Sequence, residues 1–128
     1  MSIIADLQAL ILASGETAGY TFAAILNEAK FDTTKRYIVI RIMGARGDKH
    51  VRNATAQIIF TSKVSDSGIA QVQANCENVL KYLLSNYSNG CLFNCELLLD
   101  VSGPYPTASG RTQFYFEIGV KTADTIGV

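Results

Sequence analysis

The residues able to do chemistry are few, and their spacing does not assemble a reaction. His50 is the only histidine and stands beside Lys49, with no serine or cysteine nucleophile in a recognisable setting near it. A nucleophile-base pair has no footing there, and a solvated loop histidine is the better reading. Cys91 and Cys95 lie four residues apart on an extended segment, on one face and therefore about 13 Å apart, too far to share a metal ion. Cys76 falls in the apolar stripe of a helix, so all three cysteines read as small buried hydrophobes. The carboxylates are scattered; only Glu96 and Glu117 could approach each other, and only in one strand register. The glycines of "GARGDKHVRN" resemble a phosphate cradle, but the stretch joins two strands and no helix N-terminus follows it. Arg46-Gly47-Asp48 spells an adhesion tripeptide, a match short enough to arise by chance. No catalytic residue, metal site or cofactor is assigned.

What remains is contact chemistry. The Gly44 to Asn53 stretch concentrates five ionisable residues, Arg46, Asp48, Lys49, His50 and Arg52, as a solvated hairpin tip or a salt-sensitive contact. Eleven basic and eleven acidic side chains cancel, and no run of like charge exceeds two residues. The broad electrostatic footprint of nucleic-acid or membrane binders is therefore missing. No apolar stretch nears the roughly 20 residues that span a bilayer, and Met1 leads directly into a helical pattern without a basic leader. An odd cysteine count in no metal-binding spacing suits a reducing compartment. These features predict a cytosolic site of synthesis and one domain over 1–128, large enough to hold a core unaided.

The elements that must position the contacts follow from periodicity. Ile3, Ile4, Leu7, Leu10 and Ile11 recur at helical spacing, with Ser14-Gly15 as the stop. "YTFAAIL", Tyr20 to Leu26, is read as a strand. "YIVIRIM", Tyr37 to Met43, alternates cleanly, with Ile38, Ile40 and Ile42 facing the core. A long charged loop then leads to a strand from Val51 to Lys63. "SDSG" supplies N-cap chemistry for a second helix striped by Ile69, Val72, Cys76, Val79, Leu80, Leu83 and Leu84. Two last strands carry matched core faces, Cys91, Phe93, Cys95, Leu97, Leu99 and Val101 on one, Phe114, Phe116, Ile118 and Val120 on the other. The expected fold is α+β: a mostly antiparallel sheet of four to five strands, two helices on one face, in the order α-β-β-β-α-β-β.

Register in the last hairpin is constrained by charge. A pairing that sets Glu96 against Glu117 is unfavourable, so the predicted register sets Asp100 against Arg111, Glu96 against Tyr115 and Asn94 against Glu117, with Ser102 to Ser109 as the loop. That loop holds both prolines of the chain, and Pro104 and Pro106 stiffen a tip whose exposed centre is Tyr105. On the other side of the sheet, Tyr37, Val39, Met43, Leu92, Leu98 and Tyr115 point away from the core among Arg41, Glu96, Gln113 and Glu117. Either this face contacts another protein or a further segment covers it.

The element order, with "YIVIRIMGARGD", "GIAQVQANCENVLKYLLSN" and "GPYPTASGRTQFYFEIGVKT", resembles the small tail terminator and minor tail proteins of long-tailed bacteriophages over most of the chain. The resemblance implies a structural virion protein without enzymatic activity or cofactor, assembled in the host bacterial cytoplasm and resident in the tail. It implies a homo-oligomeric ring, typically hexameric, that caps the tail tube and offers the head-joining surface. Its partners would be the tail tube protein and the head-tail connector protein, with transient DNA passage through the ring lumen and no membrane. Three places carry the likeness: Gly103 to Pro106 with Gly110-Arg111 as the last hairpin, Gly44 to Asn53 as the long hairpin facing tube or lumen, and Tyr37, Val39, Arg41, Leu98 and Tyr115 as the subunit-contact face. The chain departs from the expected pattern in being neutral rather than acidic and short after Lys121. A head completion protein at the portal side is the alternative within the virion. A small-ligand-binding α+β domain is the alternative outside it.

Overall fold

The computed structural model describes residues 3–47, 51–86 and 92–123. In chain order they form α1 (Ile3–Ala13), β1 (Tyr20–Ala23), a short 3-10 turn (Glu28–Lys30), β2 (Arg36–Gly47), β3 (Val51–Thr61), α2 (Ile69–Ser85), β4 (Leu92–Pro106) and β5 (Thr112–Ala123). The strands make one sheet in the order β1-β2-β3-β5-β4. β1 runs parallel to β2 and the other pairs are antiparallel, so the sheet is mixed but mostly antiparallel, and the fold is α+β as expected.

Cross-strand rows explain the core. Ile38, Phe60 and Phe114 stand in one row, Ile40, Ile58 and Phe116 in the next, then Ile42, Ala56 and Ile118. Leu7, Leu10 and Ile11 of α1 and Val72, Cys76, Val79, Leu80 and Leu83 of α2 close over these rows from the same side. Each large side chain so removed from water contributes about 1.5–3 kcal/mol. The alanines at 54 and 56 bring the sheet close beneath the helices, which bulkier residues would hold off.

α1 ends at its predicted stop, where the Ser14 N–H donates to Leu10 O at 3.2 Å and the Ser14 hydroxyl to Ile11 O at 2.6 Å. α2 departs from expectation at its start: Gly68 is the N-cap and no side chain caps it. Asp66 instead ties down the approach. Its carboxylate accepts the Gly68 N–H at 2.7 Å and the Lys63 N–H at 3.3 Å, and pairs with Arg36 through Nε at 2.7 Å and Nη2 at 3.0 Å. The Arg36 hydrogen bonds lead the causes that hold the Asp66 carboxyl down to about 2.

Two sequence expectations about the hairpins are corrected. The stretch Gly44 to Asn53 is not a long loop: β2 continues through Gly47, β3 starts at Val51, and Gly47 opposes Arg52. In the last hairpin neither weighed register occurs. Cys95 opposes Val120, Leu97 opposes Ile118, and Glu96 opposes Gly119, where the missing side chain leaves room for it. A slip of the same size as the one predicted, but in the opposite direction, thus separates Glu96 from Glu117 while keeping core against core. From there to Tyr105↔Gln113, β4 spends ten residue steps where β5 spends seven, through successive irregularities after Leu97, Leu99 and Ser102. The irregularity after Leu97 moves Leu99 into the row of Glu117, whereas Leu97 keeps the core-face row of Ile118 and is exposed at the sheet edge.

The proposed Asp100–Arg111 pair is also absent. Asp100 is exposed and accepts its neighbour's N–H, that of Val101, at 2.7 Å. Arg111 is 1% exposed and turns inward. Its Nη1 donates to Ser62 O at 2.8 Å and Lys35 O at 3.0 Å, and its Nη2 to Asp32 O at 2.7 Å. The guanidinium also sits 5.6 Å from the Phe31 ring centroid and 5.7 Å from that of Tyr37, two rings stacked 4.0 Å apart. The connection between β1 and β2 is thereby fastened over the start of β2.

Replacing Arg111 with Met should lower unfolding free energy by about 3 kcal/mol or more, because three carbonyls lose a charged donor. Asp100→Ala should cost less than about 0.5 kcal/mol. Urea unfolding of both variants checks this, and equal losses would restore the Asp100–Arg111 pair. The Asp66 linkage sets an acid limit: a carboxyl depressed in the folded state stabilises above its unfolded value, near 3.8, and the gain is lost as pH falls towards about 2. Asp66→Asn should therefore flatten the decline in stability between pH 5 and pH 2 by on the order of 1–2 kcal/mol. Parallel curves for the two proteins would show that the pair is thermodynamically idle.

Candidate contact surfaces

The buried thiols contribute packing. Burial pushes the Cys76 thiol up, and the Cys95 thiol up to about 11, so both stay protonated at neutral pH. Cys91 lies outside the described residues. Among the described residues no cluster of three or more His, Cys, Asp or Glu side chains could hold a metal ion.

The three surfaces singled out in the sequence fare differently. In the first hairpin, Asp48, Lys49 and His50 lie outside the described residues, while Arg46 and Arg52 occupy strand positions, Arg46 opposite Asn53 and Arg52 opposite Gly47. The register also sets Lys121 across from Asn53, so Arg46, Asn53 and Lys121 share one row at this end of the sheet. Lys121 was missed because its place depends on a long-range pairing that sequence spacing does not reveal.

The second surface, Pro104, Tyr105 and Pro106, is exposed. It is not a loop, however, because β4 extends to Pro106 and the reversal takes only Thr107 to Gly110. Both prolines therefore sit on an edge strand, where the absent N–H costs no ladder bond. Thr107 organises the reversal: its N–H donates to Arg111 O at 2.8 Å, and its carbonyl accepts the Gly110 N–H at 3.1 Å. The Gly103–Pro104 peptide bond is cis. Gly103 has φ +137°, and a Cβ there would meet Gln113 O and a Phe114 ring carbon, each at 2.8 Å. Tyr105 folds back so that its ring stacks on Tyr115 at 5.6 Å and its hydroxyl meets that of Ser102 at 2.8 Å.

The third surface is divided. Tyr37 and Val39 were expected on an open face, but both are buried, Val39 completely. Phe31 and Arg111 cover Tyr37, whose hydroxyl accepts the Asp32 N–H at 2.9 Å. Neither residue is available to a partner without unfolding this layer. Arg41 is exposed and donates to Gln57 at 3.3 Å, and Gln57 donates to Glu117 at 3.4 Å, a polar row across three strands. Leu98 remains 50% exposed and Tyr115 is half-covered.

The strongest exposed feature was assigned to the core from sequence. Leu97 and Leu99 are 45% and 38% exposed, so with Leu98 they make three successive leucines on β4 facing water. Among the described residues β4 is an edge strand with no neighbour on its outer side. A long apolar edge of this kind is a template for association.

A helix-backed sheet with a large unfinished edge defines a protein of contact surfaces. The comparison with protein families agrees: the model of the phage tail termination protein family matches residues 1–124, and the chain belongs to that family. It is a structural tail protein, and membership implies contacts with other tail or head proteins. No curated protein matches the chain. No helix among the described residues is long and apolar enough to cross a membrane.

Gly103→Ala should destabilise the subunit by about 2 kcal/mol or more, since it adds backbone strain to a backbone clash. Pro106→Ala, at an exposed edge position, should cost less than about 1 kcal/mol. Thermal melts of the two variants decide; an unaffected Gly103→Ala protein would mean that the β4 path through Gly103 is wrong.

Proposed function

We propose that this chain is the subunit of a homo-oligomeric ring, of six copies as the family resemblance implies, that closes the growing tail tube and presents a head-joining surface. The action is docking, with no chemical step. The observation that carries this reading is the uncovered leucine run on β4 in a member of the tail termination family. A solitary subunit would keep that run in water, whereas a neighbour would bury it.

The charged end of the β2–β3 hairpin, Arg46, Asp48, Lys49, His50 and Arg52, is assigned a second contact. Its cations would meet the tube, the head connector or DNA passing through the lumen, and that contact would weaken with salt. Pro104, Tyr105 and Pro106 present a preformed surface to an adjoining subunit or ring.

The test is complementation of a phage lacking its terminator, with tail length read by negative-stain microscopy. Supplying this chain should restore tails of uniform length that carry heads; overlong, headless tubes would reject the proposed role. The combined variant Arg46→Glu, Lys49→Glu, Arg52→Glu should keep its circular dichroism spectrum while lowering infectious particles by roughly tenfold or more. Full titre from that variant would remove the charged contact from the account.

A further inference from the structure

The two edges of the sheet carry apolar features on the same side. At the β1 edge, Ile4, Gln8, Phe22, Ala23, Ala24 and Ile40 line an open groove of about 280 Å³ beside α1. At the β4 edge, Leu97 occupies the row of the buried Ile118, yet 45% of it is exposed. Three strands separate these edges. We infer that Leu97 of one copy enters the β1-edge groove of the next copy, with β4 lying alongside the neighbour's β1 in a head-to-tail contact. This interface rests on the ring reading and specifies how its subunits join.

Sheet geometry brings the parts together. Phe22 pairs with Ile38, on the helix-covered face, and Ala24, just past the end of β1, lines the same groove. If β4 continues the neighbour's sheet with the helices on the same side, Leu97 arrives beside Phe22 and Ala24 rather than behind them. A void left by a deleted core side chain is about 150 Å³, so a groove of about 280 Å³ has room for a leucine.

Charge and area favour this contact over a twofold pairing of two β4 strands. In an antiparallel β4–β4 contact centred on Leu98, Glu96 of one copy would face Asp100 of the other, acid against acid on both sides of the axis. Half-exposed Leu97, Leu98, Leu99 and Tyr105 offer on the order of 300 Å², well below the ~800 Å² per partner of a stable interface. In the head-to-tail contact the β4 leucines meet the apolar groove and the open β1 edge. A twofold contact leaves them empty. A head-to-tail contact builds a ring where the rotation between subunits closes, whereas a twofold contact stops at a dimer.

The experiment uses Leu97→Glu, which spoils the inserting edge, and Ala24→Trp, which fills the groove. Sedimentation velocity at about 100 µM should show wild-type oligomers, and each variant alone should associate at least roughly thirtyfold more weakly. An equimolar mixture should form a one-to-one heterodimer and nothing larger, because one junction is intact and the other is broken twice. A monomeric mixture, a monomeric wild type, or Ala24→Trp assembling like wild type would each overturn the interface. Urea unfolding checks that both variants fold, and Leu97→Ser with Ala24→Met replaces any that does not. As a second measurement, mixed Leu97→Cys and Ala24→Cys chains should give a crosslinked dimer with a short bis-maleimide; its absence would also overturn the interface. Uniform tails from wild-type complementation, with no heterodimer here, would reject this interface and leave the capping role standing.

Discussion

The architecture depends on one buried guanidinium. Arg111 has taken a full charge out of water with three main-chain carbonyls as its direct hydrogen-bond acceptors. Those carbonyls belong to Asp32, Lys35 and Ser62, so one side chain at the start of β5 joins the end of β3 to the connection that enters β2. A planar fork with five fixed donors can satisfy such a set, whereas the single ammonium of lysine could not reproduce its geometry. The aromatic pair Phe31 and Tyr37 closes over the arrangement and limits access of water. Were the clamp open, the face of β2 opposite the helices would be exposed at Tyr37 and Val39.

The clamp thereby decides which surfaces are free. At the start of β2 the face opposite the helices is covered within the subunit, so Tyr37 and Val39 belong to the interior, while Arg41 and Met43 further along are exposed. Towards β4 nothing comparable is laid down among the described residues. There the leucines of residues 97 to 99 stay half in water, and the strand beyond them is shaped by bulges, Gly103 and two prolines. In the proposed ring, the open side is the one that a neighbour covers. Membership of the tail termination family gives that asymmetry a purpose.

The sequence made the regular parts legible and the irregular parts opaque. Alternation in "YIVIRIM" and the stripe of α2 each follow from a single period, and both occur as read. The segment from Tyr20 was read as a strand to Leu26, although an apolar run so short does not separate strand from helix, and the strand occurs over Tyr20–Ala23 alone. β4 was not legible, since its successive irregularities change which face a residue serves, and no local period survives them. Arg111 was read as a hairpin-base partner for Asp100, because spacing cannot show that a charge will find carbonyls over seventy residues away. The same blindness hid Leu97 and Leu99, whose alternation with Cys95 suggested core. The family resemblance was legible because it rests on the order of elements and on stretches such as "GPYPTASGRTQFYFEIGVKT" rather than on any one contact.

Hydrogen exchange on the free subunit and on the subunit assembled at a tail end tests the central claim most directly. The account predicts that amides of residues 31–37 are protected in both states, held by Arg111, while those of 96–106 on the outer edge of β4 exchange rapidly in the free subunit and become protected on assembly. If β4 exchanges alike in both states and new protection appears only elsewhere, the unfinished edge is not where this protein meets its neighbour.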